Sequence, residues 1–343
     1  NDILHGAVDG APPRAEVDTA RGIGVDDAIV ASAFQQHFIL LHLLKPQVPA
    51  YSMPLAIELP RGSTQPMVRS ALQALARRQA VLRTHYAVRS GAVLQVVLPM
   101  DSFAVPLDEC TRAEWTPKAQ DALATPFELL AVPPVRALCL RASRHGSSPL
   151  LLNVHHVATD YVSNSIIASE LRRWCEATAA GREMLGATPL LEVQYADYSL
   201  WLRRRSQASD STAMGWWRDR LDGARRVLEL PLDRPRPPEQ AAQAGLVSVL
   251  VERSTARQVQ RVCREERVTP LCAVVVAWAT LMTRLSQQAE LILGQPQSVR
   301  NHAALLPLAG CFINTLPLRM AMPSGATVST GLARVHRELL LAL

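Results

Sequence analysis

Apolar positions recur every three or four residues through DAIVASAFQQHFILLHLL (27–44), which predicts a helix. SMPLAIELP (52–60) alternates in part and predicts a strand. PMVRSALQALARRQAVLRTHY (66–86) predicts an amphipathic helix with Val68, Leu72, Leu75 and Ala76 on one side. AVLQVVLP (92–99), PPVRALCLRAS (133–143) and SPLLLNVHH (148–156) read as strands. In VSNSIIASELRRWCEATAAG (162–181), Ser163 is placed to cap a helix whose apolar stripe is Ile166, Ile167, Leu171 and Trp174, with Gly181 at its end. Helical spacing returns over 191–205 and 213–224, and the Pro-rich 229–245 reads as an ordered loop. The second half predicts a strand over 246–252, helices over 255–268 and 270–286, strands over 291–298 and 311–322, and a helix over 328–343. Alternating elements argue for the α/β class with mixed sheets. The first 27 residues are acidic, rich in Pro and Gly, and aperiodic, which predicts a linker or N-terminal tail.

With 343 residues the chain is too long for one small core, and two lobes are expected. The net charge is +6, almost all of it arginine, since only Lys45 and Lys118 are lysines. Apart from LRRR (202–205) the arginines are scattered and not interleaved with aromatics. That is no footprint for nucleic acid, although a mildly basic face suits an acidic partner. The apolar runs are too short to span a bilayer, and NDILHGAVDG has neither the basic nor the apolar region of a secretory signal. Six cysteines lie far apart with no CxxC, which predicts reduced core thiols in a cytoplasmic setting. No phosphate-binding glycine loop and no GxSxG is present, and His302 and His336 lack metal-ligand spacing, so no metal is expected.

The densest chemistry is in LLLNVHHVATDYVSNS (150–165). His156 stands where an apolar strand ends and the chain turns, a position that presents an imidazole to a cavity. Such a group can accept a proton from an attacking amine or hydroxyl, or orient it by a hydrogen bond. The bland alternative is a buried histidine satisfied by a backbone carbonyl. His155 alternates to the other face of the strand, so the pair cannot enter one cavity together, and its role is structural. Asp160 follows beyond the turn, where a plain helix-start carboxylate would also sit.

With HHVATD the chain resembles the condensation domains of nonribosomal peptide synthetases, whose core motif is HHxxxDG. Further blocks are similar in family order: SAFQQH (32–37), RQAVLRTHY (78–86), PFELLAVPPVRALCLR (126–141), QYADYSLW (194–201), WWRDRLDGARRVLELPLDRPRP (216–237) and GQPQSVRNHAALLPLAGCFINTLPLR (294–319). The resemblance implies two chloramphenicol-acetyltransferase-like lobes in a V, over 28–208 and 209–343, with the HHxxxD motif at the middle of a tunnel between them. Family members run on past the VHRELLLAL helix, so a partial second lobe is expected. The implied reaction is attack of an amine or hydroxyl on a thioester. It uses no tightly bound cofactor, and substrates arrive on the phosphopantetheine arms of donor and acceptor carrier proteins. Neighbouring adenylation or ketosynthase modules are the other implied partners.

The resemblance makes His156 the catalytic group, with His155, Asp160 and Arg83 as support and Arg83 the partner of Asp160. It places Tyr161, Ser163, Asn314 and Arg300 near the tunnel. Tyr161 departs from the family, which has glycine there. A ring at this point sits aside, narrows an entrance, or closes the site and leaves a non-catalytic scaffold that recruits a carrier or tailoring enzyme. RQA (78–80) for RHE, and His37 for an arginine, are milder departures. An acyltransferase using coenzyme A shares the HxxxD core, but the LPLDRPRP loop argues against it.

Overall fold

The computed structural model describes residues 29–141, 148–182, 189–208, 210–238, 245–322 and 325–342. The predicted tail over 1–27 lies outside them.

Ser32 and Gln35 start the first helix. The Ser32 Oγ accepts the Gln35 N–H (3.3 Å) while the Gln35 side-chain oxygen accepts the Ser32 N–H (3.1 Å). This reciprocal capping box opens α1 (Ala33–Leu44). The two residues Ile29–Val30, expected as helix, instead form a short strand, β1, because strand partners take up their backbone groups.

The predicted 66–86 helix is also shorter than expected. Its amphipathic part is α2 (Gln65–Arg78), which buries Val68, Leu72 and Leu75, and a single 3-10 turn over Ala80–Arg83 follows. Thr84–Arg89 is then strand β3, paired with β4 (Ala92–Val97). Ser90 and Gly91 link them with φ of 49° and 78°. Two positive φ values in a two-residue loop suit a hairpin whose twist matches its strands, and that turn outweighs the helical spacing of the residues before it.

Two sheets shape the first unit. One has the order β1-β4-β3. The other joins β2 (Ser52–Leu59), β5 (Leu107–Cys110), β6 (Val135–Leu140) and β7 (Ser148–His155) in the order β2-β7-β6-β5. β2 and β7 run antiparallel from Ser52↔His155 to Leu59↔Ser148. β5 and β6 are parallel, which requires a crossover, and α3 (Trp115–Ala124) lies within that connection. Neither β5 nor α3 shows a clear period in the sequence. β7 is covered on both faces. Leu150, Leu152 and Val154 are fully buried in the main core, and Leu151 packs with Cys110 and Leu138 on the other side. Each such side chain contributes about 1.5–3 kcal/mol of burial, so the strand that ends in His155 is held firmly. After it come α4 (Tyr161–Ala179) and α5 (Tyr195–Ala208).

The second unit contains α6 (Asp210–Leu221), α7 (Arg253–Glu265), α8 (Pro270–Ser286), β8 (Glu290–Ser298), β9 (Ile313–Ala321) and α9 (Val328–Ala342). Its core gathers Cys272, Val275, Met282, Leu291, Met320, Leu332 and Val335 around the β8-β9 pair. The strand predicted over 246–252 is absent. Residues 246–252 have no regular structure, and Leu246 and Leu250 are 92% and 94% exposed. A strand needs a neighbour for its backbone groups, and among the described residues none lies beside this segment. α8, expected to be buried, leaves Val274, Trp278 and Leu285 exposed along one side.

The division differs from a single cut at 208/209. Residues Ser298–Ile313 group with the first unit, and Ser209–Gln297 with Asn314–Leu343 make the second. The expected second lobe of 209–343 is therefore interrupted. The reason is local: Leu305, Leu308 and Phe312 are buried in the first unit's core, and Arg300 is tied to α4. All six cysteines are free and buried.

Candidate active site

β7 ends at His155, and His156 follows in the turn, so the two histidines differ in burial. His155 is buried, and its Nδ1 accepts the Val157 N–H (3.0 Å). Burial, with the neighbouring His156 and His42, pushes its pKa down to about 3, so it is neutral near neutral pH. Phe38 and Phe127 meet its ring edge-on. His156 lies at the turn, only partly buried. Its backbone N–H donates to the Tyr51 carbonyl (2.8 Å), and its Nδ1 is 2.7 Å from the Thr159 carbonyl oxygen. A carbonyl can only accept, so Nδ1 carries a proton, and in the neutral ring the lone pair is on Nε2. Among the described residues Nε2 has no hydrogen-bond partner.

At the end of the HHVATD turn is a buried charge cluster. The Asp160 carboxylate caps α4 by accepting the Ser163 N–H (2.7 Å), and also accepts the Phe312 N–H (2.9 Å). Arg300 closes the set, with its Nη2 at 3.1 and 3.3 Å from the two carboxylate oxygens. Its Nη1 donates to the Leu305 and Leu308 carbonyls, and its guanidinium lies over the Phe312 ring at 3.9 Å. Both partners of this pair are almost fully buried. Burial lowers the Arg300 pKa, and Asp160 opposes that shift.

This corrects several expectations. The partner of Asp160 is Arg300, whereas Arg83 donates to the carbonyl of Leu98, the residue after β4. Arg83 belongs to the 3-10 turn, whose direction is fixed by the hairpin that follows it. Arg300 is thus a buried clamp. Ser163 is likewise internal: Asp160, one turn earlier, takes the cap position, and the Ser163 Oγ accepts from Arg300 (2.6 Å) and from the Gly310 N–H (3.0 Å). Asn314 belongs to the other unit, at the start of β9, where its side-chain oxygen accepts the Thr315 N–H. Tyr161 is the first helical residue of α4, so the positive φ that would favour glycine does not arise. Its ring is 77% exposed and makes no ring contact with the imidazole.

The structure also brings in residues that sequence reasoning passed over. Phe38 stacks on His156, with ring centroids 5.1 Å apart and planes 21° from parallel. The Cys311 Sγ is 3.9 Å from His156 Nδ1, and burial pushes its thiol up to about 12, so it is a neutral neighbour. The Cys311 carbonyl accepts from the Tyr195 hydroxyl (2.7 Å), which also meets Ser32 (3.0 Å). The opening Ser32/Gln35 motif therefore serves the site as well as the helix. Gln35 donates to the Tyr86 hydroxyl, and that hydroxyl points at the Val157 carbonyl within the HHVATD turn. Gly310 is required where it is, because a Cβ there would overlap the Tyr195 ring.

Comparison with known proteins identifies the family. The family model described as Condensation domain matches residues 25–343. Phosphinothricin tripeptide synthetase PhsC of Streptomyces viridochromogenes is 30% identical over 329 residues, which is 93% of this chain and 30% of that much longer protein. Among solved structures, the X-domain from teicoplanin biosynthesis superposes with a TM-score of 0.83 at 23% identity, covering 97% of this chain and 72% of that one. A complex of the X-domain and OxyB from the same biosynthesis superposes with a TM-score of 0.81 at 22% identity, covering 97% of this chain and 73% of that one.

Proposed function

The chain belongs to the condensation-domain family of nonribosomal peptide synthetases, and we propose that it joins a carrier-bound acyl or peptidyl thioester to a carrier-bound amine or hydroxyl in the cytoplasm. One observation carries the reading: the Nδ1–H of His156 is committed to the Thr159 carbonyl, which leaves Nε2 as an unengaged acceptor. In this reaction the nucleophile attacks the thioester carbonyl, Nε2 takes the proton that the nucleophile sheds, and the carbon–sulfur bond breaks. The sulfur leaves as a phosphopantetheine thiol, protonated from the imidazolium. A positioned base of this kind contributes roughly a hundredfold to ten-thousandfold in rate, and tethering both reactants supplies a further part. No resident cofactor is required. The partners are the two carriers and the modules that load them.

The test is product formation from loaded donor and acceptor carriers. His156→Ala should abolish it while the thermal unfolding midpoint is kept, and unchanged turnover would defeat the assignment.

A second reading, a non-catalytic scaffold, is favoured by the likeness to an X-domain solved in complex with OxyB and by tyrosine at position 161. On that reading the wild type makes no product, Tyr161→Gly gains none, and the chain retains a specific tailoring enzyme. The exposed ring and the open Nε2 weigh towards the catalytic reading.

A further inference from the structure

Tyr51 occupies the left-handed region, with φ of 64°. An aromatic residue there is a strained outlier, and glycine would adopt the same backbone freely. Burial does not explain its retention, since the side chain is 45% exposed. What the strained backbone does is aim two groups. The Tyr51 carbonyl meets the His156 backbone N–H (2.8 Å), and the Tyr51 ring meets the edge of Phe38, with centroids 5.0 Å apart at 67°. Phe38 in turn lies flat on the His156 ring. Phe38 is itself placed from below, being three residues after Gln35, whose side chain is held by Tyr86 and by the capping box.

We propose that Phe38 and Tyr51 form an aromatic clamp that fixes the plane of the His156 imidazole, so that its Nδ1–H stays on the Thr159 carbonyl and Nε2 keeps one direction. Two restraints are needed because each covers a different freedom. The Nδ1 hydrogen bond sets the sense of the ring, and the stacked face resists its flipping. Both are positioning residues. The proposal rests on the reading that Nε2 is the working atom, but its test does not need turnover.

The experiment follows the imidazole nitrogens by long-range proton–nitrogen correlation on the full chain, at about pH 8, where an ordinary imidazole is neutral. Loss of a signal in His156→Gln assigns it among the nine histidines. The wild type should show one tautomer, protonated at Nδ1. Phe38→Ala should give an averaged mixture of tautomers, and Phe38→Trp, which keeps a flat face, should restore the single form. Tyr51→Gly separates clamping from ordinary structural support. Relief of the backbone strain should hold or raise the unfolding midpoint, yet the tautomer should become mixed. In the carrier assay both truncations should lower kcat about tenfold with KM little changed, as expected for a displaced catalytic group. A single Nδ1–H tautomer retained in both Phe38→Ala and Tyr51→Gly would overturn the clamp. If the wild type shows the single tautomer and the variants lose it, but no protein makes product, the clamp stands and the catalytic reading falls.

Discussion

Replacing Asp160 by asparagine tests the buried cluster at the start of α4. The substitution keeps the side-chain shape and removes the charge. In the native site the carboxylate accepts from Ser163 N–H, Phe312 N–H and Arg300. An amide has one accepting oxygen, so its NH2 group must face one of these donors. Arg300, with only 4% of its side chain exposed, would lose its counter-charge and keep only the Leu305 and Leu308 carbonyls and Ser163. Removing one member of a buried pair costs about 3–5 kcal/mol, a large share of the roughly 5–15 kcal/mol that holds a domain folded. For a unit of this size that lowers the unfolding midpoint by on the order of 10 °C. A double-mutant cycle identifies the partner. Asp160→Asn with Arg300→Met should be less damaging than the sum of the singles by at least about 1 kcal/mol, while Asp160→Asn with Arg83→Met should be additive to within about 0.5 kcal/mol. Urea unfolding followed by circular dichroism gives these values. Coupling to Arg83 in place of Arg300, or a cost for Asp160→Asn below about 1 kcal/mol, would refute the reasoning.

Three further outcomes are expected. His155 has a folded pKa near 3 against an ordinary 6.5, so the unfolded chain takes up its proton first as pH falls. Stability present above the ordinary value should decline by about 2 kcal/mol between about pH 7 and pH 5, and His155→Asn, which can accept from Val157 but does not titrate, should flatten that slope in urea titrations. Gly310→Ala should force a methyl group against the Tyr195 ring and cost about 1–3 kcal/mol by overpacking, whereas Gly325→Ala, whose Cβ would meet open space, should cost less despite its positive φ. Leu250→Lys alters a side chain that is 94% exposed, so it should change the unfolding midpoint by less than about 0.5 kcal/mol equivalent while raising the concentration at which the protein aggregates, measured by light scattering.

Much of the fold is legible because periodicity and burial coincide. β2 follows from partial alternation, β6 and β7 from short apolar runs, and the body of α2 from a helical stripe. The failures have local causes. The end of α2 depends on the Ser90–Gly91 turn, a contest between a helical period and a hairpin that composition alone does not settle. The 246–252 run has strand-forming side chains, but strand structure is a property of pairs, and no period reveals whether a neighbour is present. At the site, the expected alternation of His155 and His156 across a strand does not apply, because β7 ends at His155 and His156 lies in the turn, and Phe38 meets both rings. The choice of Arg300 over Arg83 was not legible: both arginines stand in suitable motifs, and only the packing of Ser298–Ile313 onto the first unit decides between them. The stacking of Phe38 on His156 was hidden for the same reason, since it joins positions 118 residues apart.

The central claim is that the open Nε2 of His156 receives a proton while an acyl group passes from a thioester to a nucleophile. The most direct measurement is single-turnover transfer from a loaded donor carrier to a loaded acceptor carrier, read by intact mass, for the wild type and His156→Ala matched for unfolding midpoint. A wild type that transfers, with a loss of at least about a hundredfold in the variant, is the expected result. Equal rates in the two proteins, or no transfer by the wild type across a panel of aminoacyl and fatty acyl donors, would contradict it.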